Sequence, residues 1–564
     1  MKFLRKIRKD LPYLFFILLL TLPVFIRLIR PGYFVMQDDL QAFRTQQMDK
    51  CFEDKQLPCR WVPDAGYQYG YPQFNYYPPS VYYFSALLHR VGFQYIDAVK
   101  AMFVLGYVVS AITMYLLASS VFKNRWIGFV SSLLYTYIPY KAVEVYVRGA
   151  LNEFWALSFF PLVLWASYRL IKKDKKKYLL WLSIAIALLL TTHSLTAMIF
   201  IPFAAVWVFF WIFRFKKEVF NKKLIASLLL GFGLSSFFVL PMMLEKQYVH
   251  VDSVLSGYFD YRQHFVSLYK LFISREWGYG SSGFPNELLN LSVGVVQWGA
   301  GILAIIVSIL NFKKKNKSYA YLGITLGLMT IFSLFMIHMK SSFIWTMLPF
   351  LKWLQFPWRF LSISIVLLPV LVGVLLHYTG KAKYVIGSML VVGAILLNIQ
   401  FFKEKEWLNI TDQGKFSGQY WEKQLTISIF DYLPIYATLP PVEKAPAEPE
   451  VLEGVAKFEY YEKGSNWQKG KVKVETEKAL LRAPIYDFPG MTVSSSEKIV
   501  KHINNDCRGQ EFCLGLVTFE LENGDHDIKI ELKDTPIRTI GNYLSIFSVL
   551  YLIFLILKRN DDFN

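Results

Sequence analysis

For a chain of 564 residues this sequence is short of charge, histidine and cysteine. Only 18% of its residues are charged, and it holds 8 histidines and 4 cysteines. Four cysteines are too few to staple a disulfide-framework fold. There is no zinc-ligand spacing, no glycine-rich loop of the kind that cradles phosphate, and no nucleic-acid recognition motif. Repeats of solenoid period and low-complexity tracts are missing too, which excludes repeat arrays and compositional tails. Acid is the scarcer charge, 42 Asp and Glu against 61 Lys and Arg, leaving a net charge of +19.

What the chain has instead is apolar length. Hydrophobic residues make up 54% of it, and the mean hydropathy is +0.33. Both exceed ordinary globular usage and point to many membrane spans. A spanning helix needs about 20 mainly apolar residues. Segments of this kind lie near 11–30, 98–121, 126–140, 150–171, 178–193, 195–213, 224–244, 291–311, 319–338, 359–378, 384–401 and 540–557. The expected fold class is therefore an all-α polytopic membrane protein of about twelve transmembrane helices. The first segment has no small-residue cleavage site and is followed by Arg27 and Arg30, so it reads as a span and not a signal peptide.

Charge between the spans sets orientation. Lys2, Arg5, Lys6, Arg8 and Lys9 precede the first span, and Lys123 with Arg125 follow the second. Lys172, Lys173 and Lys175 to Lys177 follow the fourth, and Arg214, Lys216, Lys217, Lys222 and Lys223 the sixth. Lys313, Lys314, Lys315 and Lys317 follow the eighth, Lys381 and Lys383 the tenth, and Lys558 with Arg559 the last. The positive-inside rule puts these short basic connections and both termini in the cytoplasm of a plasma membrane, with Arg27 and Arg30 as a local violation. The net charge is then a topology signal beside anionic headgroups, and no nucleic-acid partner is implied.

The alternate connections are longer and fall outside. They hold all four cysteines, as the near pairs Cys51 with Cys59 and Cys507 with Cys513. Two local disulfides suit an oxidising compartment, and unpaired thiols are the alternative. The chain divides into a transmembrane region over 1–401, an extracytoplasmic linker and β-rich domain over 402–539, and a last helix with its tail over 540–564. Alternating runs such as 471–475 and 528–532, with Pro489-Gly490 and Asn523-Gly524 as turns, predict a small β-sandwich. Asp525-His526-Asp527 reads as turn chemistry more than as a metal site.

The candidate chemistry lies in the outer connections. Asp38 and Asp39 open a surface helix just after the first span. One of them serves as its N-cap by type, and the other is free to act as a general base. The aromatic run around Tyr76 and Tyr77 is either an interfacial belt or a wall for a sugar or isoprenoid, and Pro78-Pro79 forces a turn there. Arg148 and Glu153 suit an ion pair, or Arg148 a phosphate, which its planar fork fits. His193 stands at the outer end of the fifth helix, as structural residue or site member. Arg359 starts the tenth span behind Pro357, either snorkelling or offering a second cation to a leaving phosphate.

These motifs occur in one order: Asp38; Gly70-Tyr71-Pro72 with Tyr77-Pro78-Pro79; Arg148-Gly149-Ala150 with Glu153; Thr192-His193-Ser194; and Gln355-Phe356-Pro357-Trp358-Arg359-Phe360. In that order, over about residues 10–400, the chain resembles the bacterial membrane proteins labelled "6-pyruvoyl-tetrahydropterin synthase-related", which in turn resemble the GT-C glycosyltransferase superfamily. The Tyr486-Asp487-Phe488-Pro489-Gly490 motif is similar to the outer β-domain of YfhO-like proteins. The resemblance implies a GT-C-like fold and a sugar donor linked to polyprenyl phosphate. It also implies an outward-facing cavity in which Asp38 matches the family's acid, and Gln37 stands where the family often has His. It implies an envelope glycan, lipid or protein as acceptor. No cofactor is called for; a divalent metal is compatible but not implied. A flippase of lipid-linked glycans and a non-catalytic envelope-assembly protein are the other readings, although the matching halves of a transporter are not seen.

Overall fold

The computed structural model describes residues 2–219, 221–285, 287–313 and 318–558. Lys314, Lys315, Lys317 and Arg559, and the side chains of Lys2, Arg5, Lys6 and Arg8, lie outside what is described. Helices stand at all twelve expected places: Lys2–Phe25, Tyr95–Phe122, Arg125–Thr136, Leu151–Lys173, Lys176–Thr192, Ser194–Phe215, Lys222–Leu244, Val295–Asn311, Ser318–Phe335, Leu361–Tyr378, Lys383–Asn398 and Pro536–Leu557. Among the described residues nine helices are long and apolar enough to cross a membrane, and Val295–Asn311 is a shorter apolar helix. The full count of twelve spans therefore does not follow from length and composition.

The third helix shows why. It runs for 12 residues, a rise of only about 18 Å. Pro139 has no N–H to donate back to the preceding turn, so the helix stops. The chain then continues through Pro139–Ala142 and a wide π-helical turn, Val143–Val147. This break delivers Glu144 and Arg148 to the functional site described below. At the centre stands the helix Leu361–Tyr378, whose span is 94% buried, while the last helix, 17% buried, lies at the periphery.

The connections sort onto two faces. On one, Asp10 meets Arg125 at 2.5 Å, Trp126 donates to the Lys383 carbonyl, Lys223 to that of Asp174 and Lys176 to that of Lys558. This is the basic face. On the other face the long connections pack on one another and on the β-domain. Arg27 and Arg30 lie there, and both pair with the buried Glu404, at 3.3 and 2.6 Å. That pairing compensates the charge that broke the topology pattern.

The β-domain stands where it was expected and differs in one respect, its turns. Its seven antiparallel strands are joined by hydrogen bonds in two halves of one sheet. Two strands, Trp467–Tyr486 and Leu516–Leu532, are long enough to run through both halves of it. Asn523-Gly524 is not a hairpin turn but lies inside the second of these. The partner strand bulges between Val474 and Lys478, and the Asn523 amide donates to the carbonyls of Val474 and Thr476 that the bulge frees. Pro489-Gly490 does turn the chain, between the long strand and Met491–Ser495. His526 accordingly bonds Ser495 and the Glu522 carbonyl.

A buried polar lock fastens this domain to the helices. Glu245, at the end of the Lys222–Leu244 helix, takes Arg538 Nε at 2.9 Å, and both side chains are fully buried. Asn75 of the first long connection donates to the same carboxylate at 3.0 Å. Arg60 bonds Asp534 and Asn542, the residues flanking the start of the last helix. Cys51 is bonded to Cys59, and Cys507 to Cys513. Removing one partner of a buried pair strands the other charge, at about 3–5 kcal/mol. Glu245→Ala should therefore lower the thermal unfolding midpoint of the purified protein sharply, and Glu245→Gln, which keeps the hydrogen bonds, less so. Equal midpoints for Glu245→Ala and the wild type would contradict this.

Candidate active site

The segment after the first helix is held between a strand on one side and the end of the π-helical turn on the other. Tyr33 and Phe34 pair with Leu408 and Trp407, and Val35 N–H reaches the Glu406 carbonyl at 3.1 Å. On the other side Gln37 and Asp38 N–H donate to the carbonyls of Val147 and Arg148, at 3.0 and 2.9 Å. Asp38 is thus set directly above Arg148. The approach needs Gly149: its φ is +65°, and a Cβ there would stand 2.3 Å from Met36 Sδ.

The chain then enters the helix Gln41–Glu53, which brings Arg44 back to Asp38. Arg44 Nη1 donates to both Asp38 oxygens, at 3.1 and 3.0 Å, and Gln41 Nε2 to Oδ2 at 2.9 Å. The helix is capped at Leu40 without a side-chain bond, so neither aspartate is the N-cap that its residue type suggested. Asp38 keeps 35% of its side chain exposed over an Arg44 that is 4% exposed. It is a fixed anion that a substrate can still reach. Asp39 points elsewhere, onto Lys415 at 2.7 Å, a lysine only 1% exposed. Burial pushes the Asp39 carboxyl above the usual carboxylate range, and Lys415 pulls against that.

Beneath Asp38 lies a second charged cluster. Arg148 Nη1 donates to Glu144 at 2.5 Å and to Glu153 at 2.9 Å. Arg359 Nε reaches the same Glu153 oxygen at 3.4 Å. Glu153 is 1% exposed, and its other oxygen accepts from Tyr140 at 3.1 Å. Arg148 lies over the Trp358 ring at 4.5 Å, and the Trp358 indole donates to Ser282 of the 245–290 connection. Arg359 spends Nη1 on the Leu354 carbonyl and the Gln355 side chain. An arginine carries five N–H groups, so both retain donors beyond these bonds.

His193 joins the cluster through charge. Its Nδ1 accepts from Thr196 N–H at 3.2 Å; a backbone N–H can only donate, so the ring is neutral with its proton on Nε2. Burial holds the imidazole down to about 3, with Glu153 acting against and Arg359 and Arg148 adding to the effect. Tyr77 stands between the two clusters. Its hydroxyl accepts from Arg44 at 3.3 Å, and while burial pushes the phenol up, Arg44 and Arg359 both pull it down. Tyr76 turns away: it donates to the Glu245 carbonyl at 2.8 Å and stacks on Tyr432.

Of the residues expected from sequence, Asp38, Tyr77, Arg148, Glu153, His193 and Arg359 gather here, while Asp39 and Tyr76 face other partners. Sequence reasoning passed over Arg44, Glu144 and Lys415. The spacing of Glu144 to Arg148 by four residues was a visible pairing signal. Nothing local marks Lys415, which lies 376 residues beyond its partner.

Residues 74–405 match the model of a family described as "6-pyruvoyl-tetrahydropterin synthase related domain; membrane protein". An uncharacterized protein of Lactococcus lactis subsp. cremoris (strain MG1363) is 23% identical over 290 residues, 49% of this chain and 46% of that one. Among solved structures, the apo oligosaccharyltransferase of Archaeoglobus fulgidus is similar with a TM-score of 0.43 at 13% identity, over 78% of this chain and 61% of that one. Arabinofuranosyltransferase AftD from Mycobacteria gives 0.43 at 12% identity, over 72% and 27%. The chain spans less than two thirds of each of these proteins.

The pairing of Asp39 with Lys415 separates the two aspartates experimentally. Asp39→Asn leaves a buried ammonium uncompensated and should cost roughly 3 kcal/mol of stability. The double variant Asp39→Asn with Lys415→Met should recover part of that loss. Thermal unfolding of the purified variants checks this, and additive losses in the double variant would contradict the pair.

Proposed function

We propose that this chain, which belongs to the 6-pyruvoyl-tetrahydropterin synthase related family of membrane proteins, is a glycosyltransferase that moves a sugar from a polyprenyl-phosphate-linked donor to an envelope acceptor. The observation that carries the reading is convergence. Asp38, Arg148 with Glu153, His193 and Arg359 come from four separate stretches of the chain and meet at one face, with a partly exposed carboxylate above two guanidinium groups. Gathering at one face supports a transferase over a flippase, which needs polar groups along a two-sided path.

The membrane side of the site supports a lipid donor. A groove of about 480 Å³ opens between the Ser194–Phe215 and Ser318–Phe335 helices. It is lined by apolar side chains, among them Met198, Phe203, Leu328, Met336, Leu354 and Phe360. Phe360 adjoins Arg359, and the Leu354 carbonyl accepts from it. An isoprenoid tail in the groove brings its phosphate to the remaining donors of Arg359 and Arg148.

In this reading Asp38 accepts the proton of the acceptor hydroxyl as that oxygen bonds to the anomeric carbon. The bond from that carbon to the phosphate oxygen breaks in the same displacement, and its electron pair leaves with the phosphate. Arg148 and Arg359 balance the charge that develops there. Glu153 fixes both guanidinium groups, and neutral His193 borders them as a donor through Nε2. A single displacement inverts the anomeric configuration. No metal is given a role. The positive-inside rule puts the basic face and both termini in the cytoplasm and the site outside, and two disulfides on the site face suit that side.

The test is Asp38→Asn. It keeps the shape of the side chain and an acceptor for Gln41 and Arg44 but removes the base, so transfer should fall roughly 100-fold in protein that still folds, with a lower unfolding midpoint because Arg44 loses its charge partner. The readout is transfer of labelled sugar in proteoliposomes beside an unfolding curve. Wild-type rates in Asp38→Asn would contradict the assignment. Intact lipid binding with no transfer by the wild type would favour the non-catalytic assembly role.

A further inference from the structure

Two rings back the two arginines of the site. Arg148 lies over Trp358 at 4.5 Å, and Arg359 over Phe356 at 5.0 Å. The rings stack on each other, with centroids 4.8 Å apart and planes 16° from parallel. A guanidinium is planar and carries its donors at its edge. A ring against its face therefore attracts the charge and limits the directions in which those donors point.

The rings are held in turn by a buried histidine of the 245–290 connection. His264 is fully buried. It stands edge-on to Phe356 at 4.7 Å and reaches Trp358 through a serine. The Trp358 indole N–H donates to Ser282 Oγ at 3.0 Å, and Ser282 Oγ lies 2.7 Å from His264 Nδ1. The other ring nitrogen, Nε2, lies 2.5 Å from the Tyr258 carbonyl. An indole N–H can only donate and a carbonyl can only accept. Nε2 therefore carries a proton, and the serine proton goes to Nδ1 of a neutral ring. Among the described residues Ser282 Oγ has no third hydrogen-bond partner. A proton on Nδ1 would turn that acceptor into a donor and leave the serine proton without a place in the chain.

We propose that His264 and Ser282 are positioning residues of the donor site, which act through Phe356 and Trp358 to set the guanidinium planes of Arg148 and Arg359 toward the donor phosphate. The inference rests on the reading of those arginines as phosphate holders. The surroundings keep the histidine in the form the chain needs. Burial pushes the imidazole below its ordinary value, the Tyr258 carbonyl and Asp260 act against this, and Arg359 adds to it. Asp260 is itself held by Arg262 at 2.6 Å. The folded value lies below the ordinary one, so the chain is intact at neutral pH and breaks only as pH falls through that lower value.

The test is binding of a labelled short-chain polyprenyl phosphate, and of the matching polyprenol, to the full-length protein in nanodiscs. Ser282→Ala should weaken binding of the phosphate roughly 3- to 10-fold, the scale of one hydrogen bond, and leave binding of the alcohol unchanged. In a Trp358→Phe background, which lacks the N–H, Ser282→Ala should have no further effect. Full phosphate affinity in Ser282→Ala, equal weakening of phosphate and alcohol, or an undiminished effect in the Trp358→Phe background overturns the inference. The second arm is pH. His264→Gln can accept from Ser282 and donate to the Tyr258 carbonyl, but it does not titrate. Between pH about 7 and about 4.5, a range that spans the ordinary imidazole value of about 6.5, the wild type should lose more phosphate affinity than His264→Gln. The phosphate itself titrates near about 6, and it does so equally for both proteins, so the difference between them is the readout. Identical pH profiles overturn the role of His264. A wild type that binds phosphate and alcohol alike overturns the phosphate reading and this inference with it, whereas a wild-type preference that survives in Ser282→Ala overturns this inference alone.

Discussion

The site depends on one buried carboxylate. Glu153, at the start of a central helix, holds Arg148 from the connection before it and Arg359 from a connection more than 200 residues later. Two guanidinium groups this close repel each other, and in a low-dielectric setting that repulsion is large. Glu153 and Glu144 together match the two positive charges, so the cluster can stay buried. The cost of hiding these groups is offset in part by the short bonds from Arg148 to Glu144 and Glu153, at 2.5 and 2.9 Å, while the Arg359 contact is longer at 3.4 Å. From this arrangement follow the broken third helix, which brings Glu144 and Arg148 round a π-turn, and the unusual backbone at Gln355, φ +61°, beside Arg359. The position of Asp38 follows as well, since its N–H hangs on the Arg148 carbonyl.

The second constraint is that the long connections must satisfy one another. The strand through Tyr33 to Asp38 takes its bonds from residues 406–408 on one side and 147–148 on the other. The linker then adds Lys415 under Asp39 and a turn beside Tyr71 and Tyr76. The β-domain is anchored through Arg60, Glu245 and Arg538, where the last helix begins. The covering domain thus sits on the residues that shape the site, and the linker is part of the site wall.

The parts that were legible in the sequence were those carried by local periodicity and composition. Apolar runs placed every long helix, and lysine clusters sorted the connections onto two faces. Period-two alternation placed the strands through 471–475 and 528–532, which turn out to be partners. Order along the chain picked out Asp38, Arg148, Glu153 and Arg359. What was hidden is what depends on distant pairing. The resemblance of Asp-Asp to an N-cap is a local rule, and it lost to Arg44 and Lys415, which take both carboxylates for ion pairs. Asn523-Gly524 has the chemistry of a turn, but the bulge opposite gave its amide a different task. Tyr76 was separated from Tyr77 only by the direction of its side chain, which a turn through Pro78-Pro79 sets and a sequence does not reveal.

The role assigned to the buried arginines, holding a lipid phosphate, is read out in a binding experiment. A short-chain polyprenyl phosphate and the matching neutral polyprenol are titrated into the protein in nanodiscs, wild type and Arg359→Gln, with tryptophan fluorescence from Trp358 and its neighbours as the readout. The wild type should bind the phosphate saturably and the alcohol at least about tenfold more weakly, and Arg359→Gln should lose that preference, since a charge-assisted bond contributes roughly 1.5–3 kcal/mol. Equal affinity for phosphate and alcohol in the wild type would contradict it.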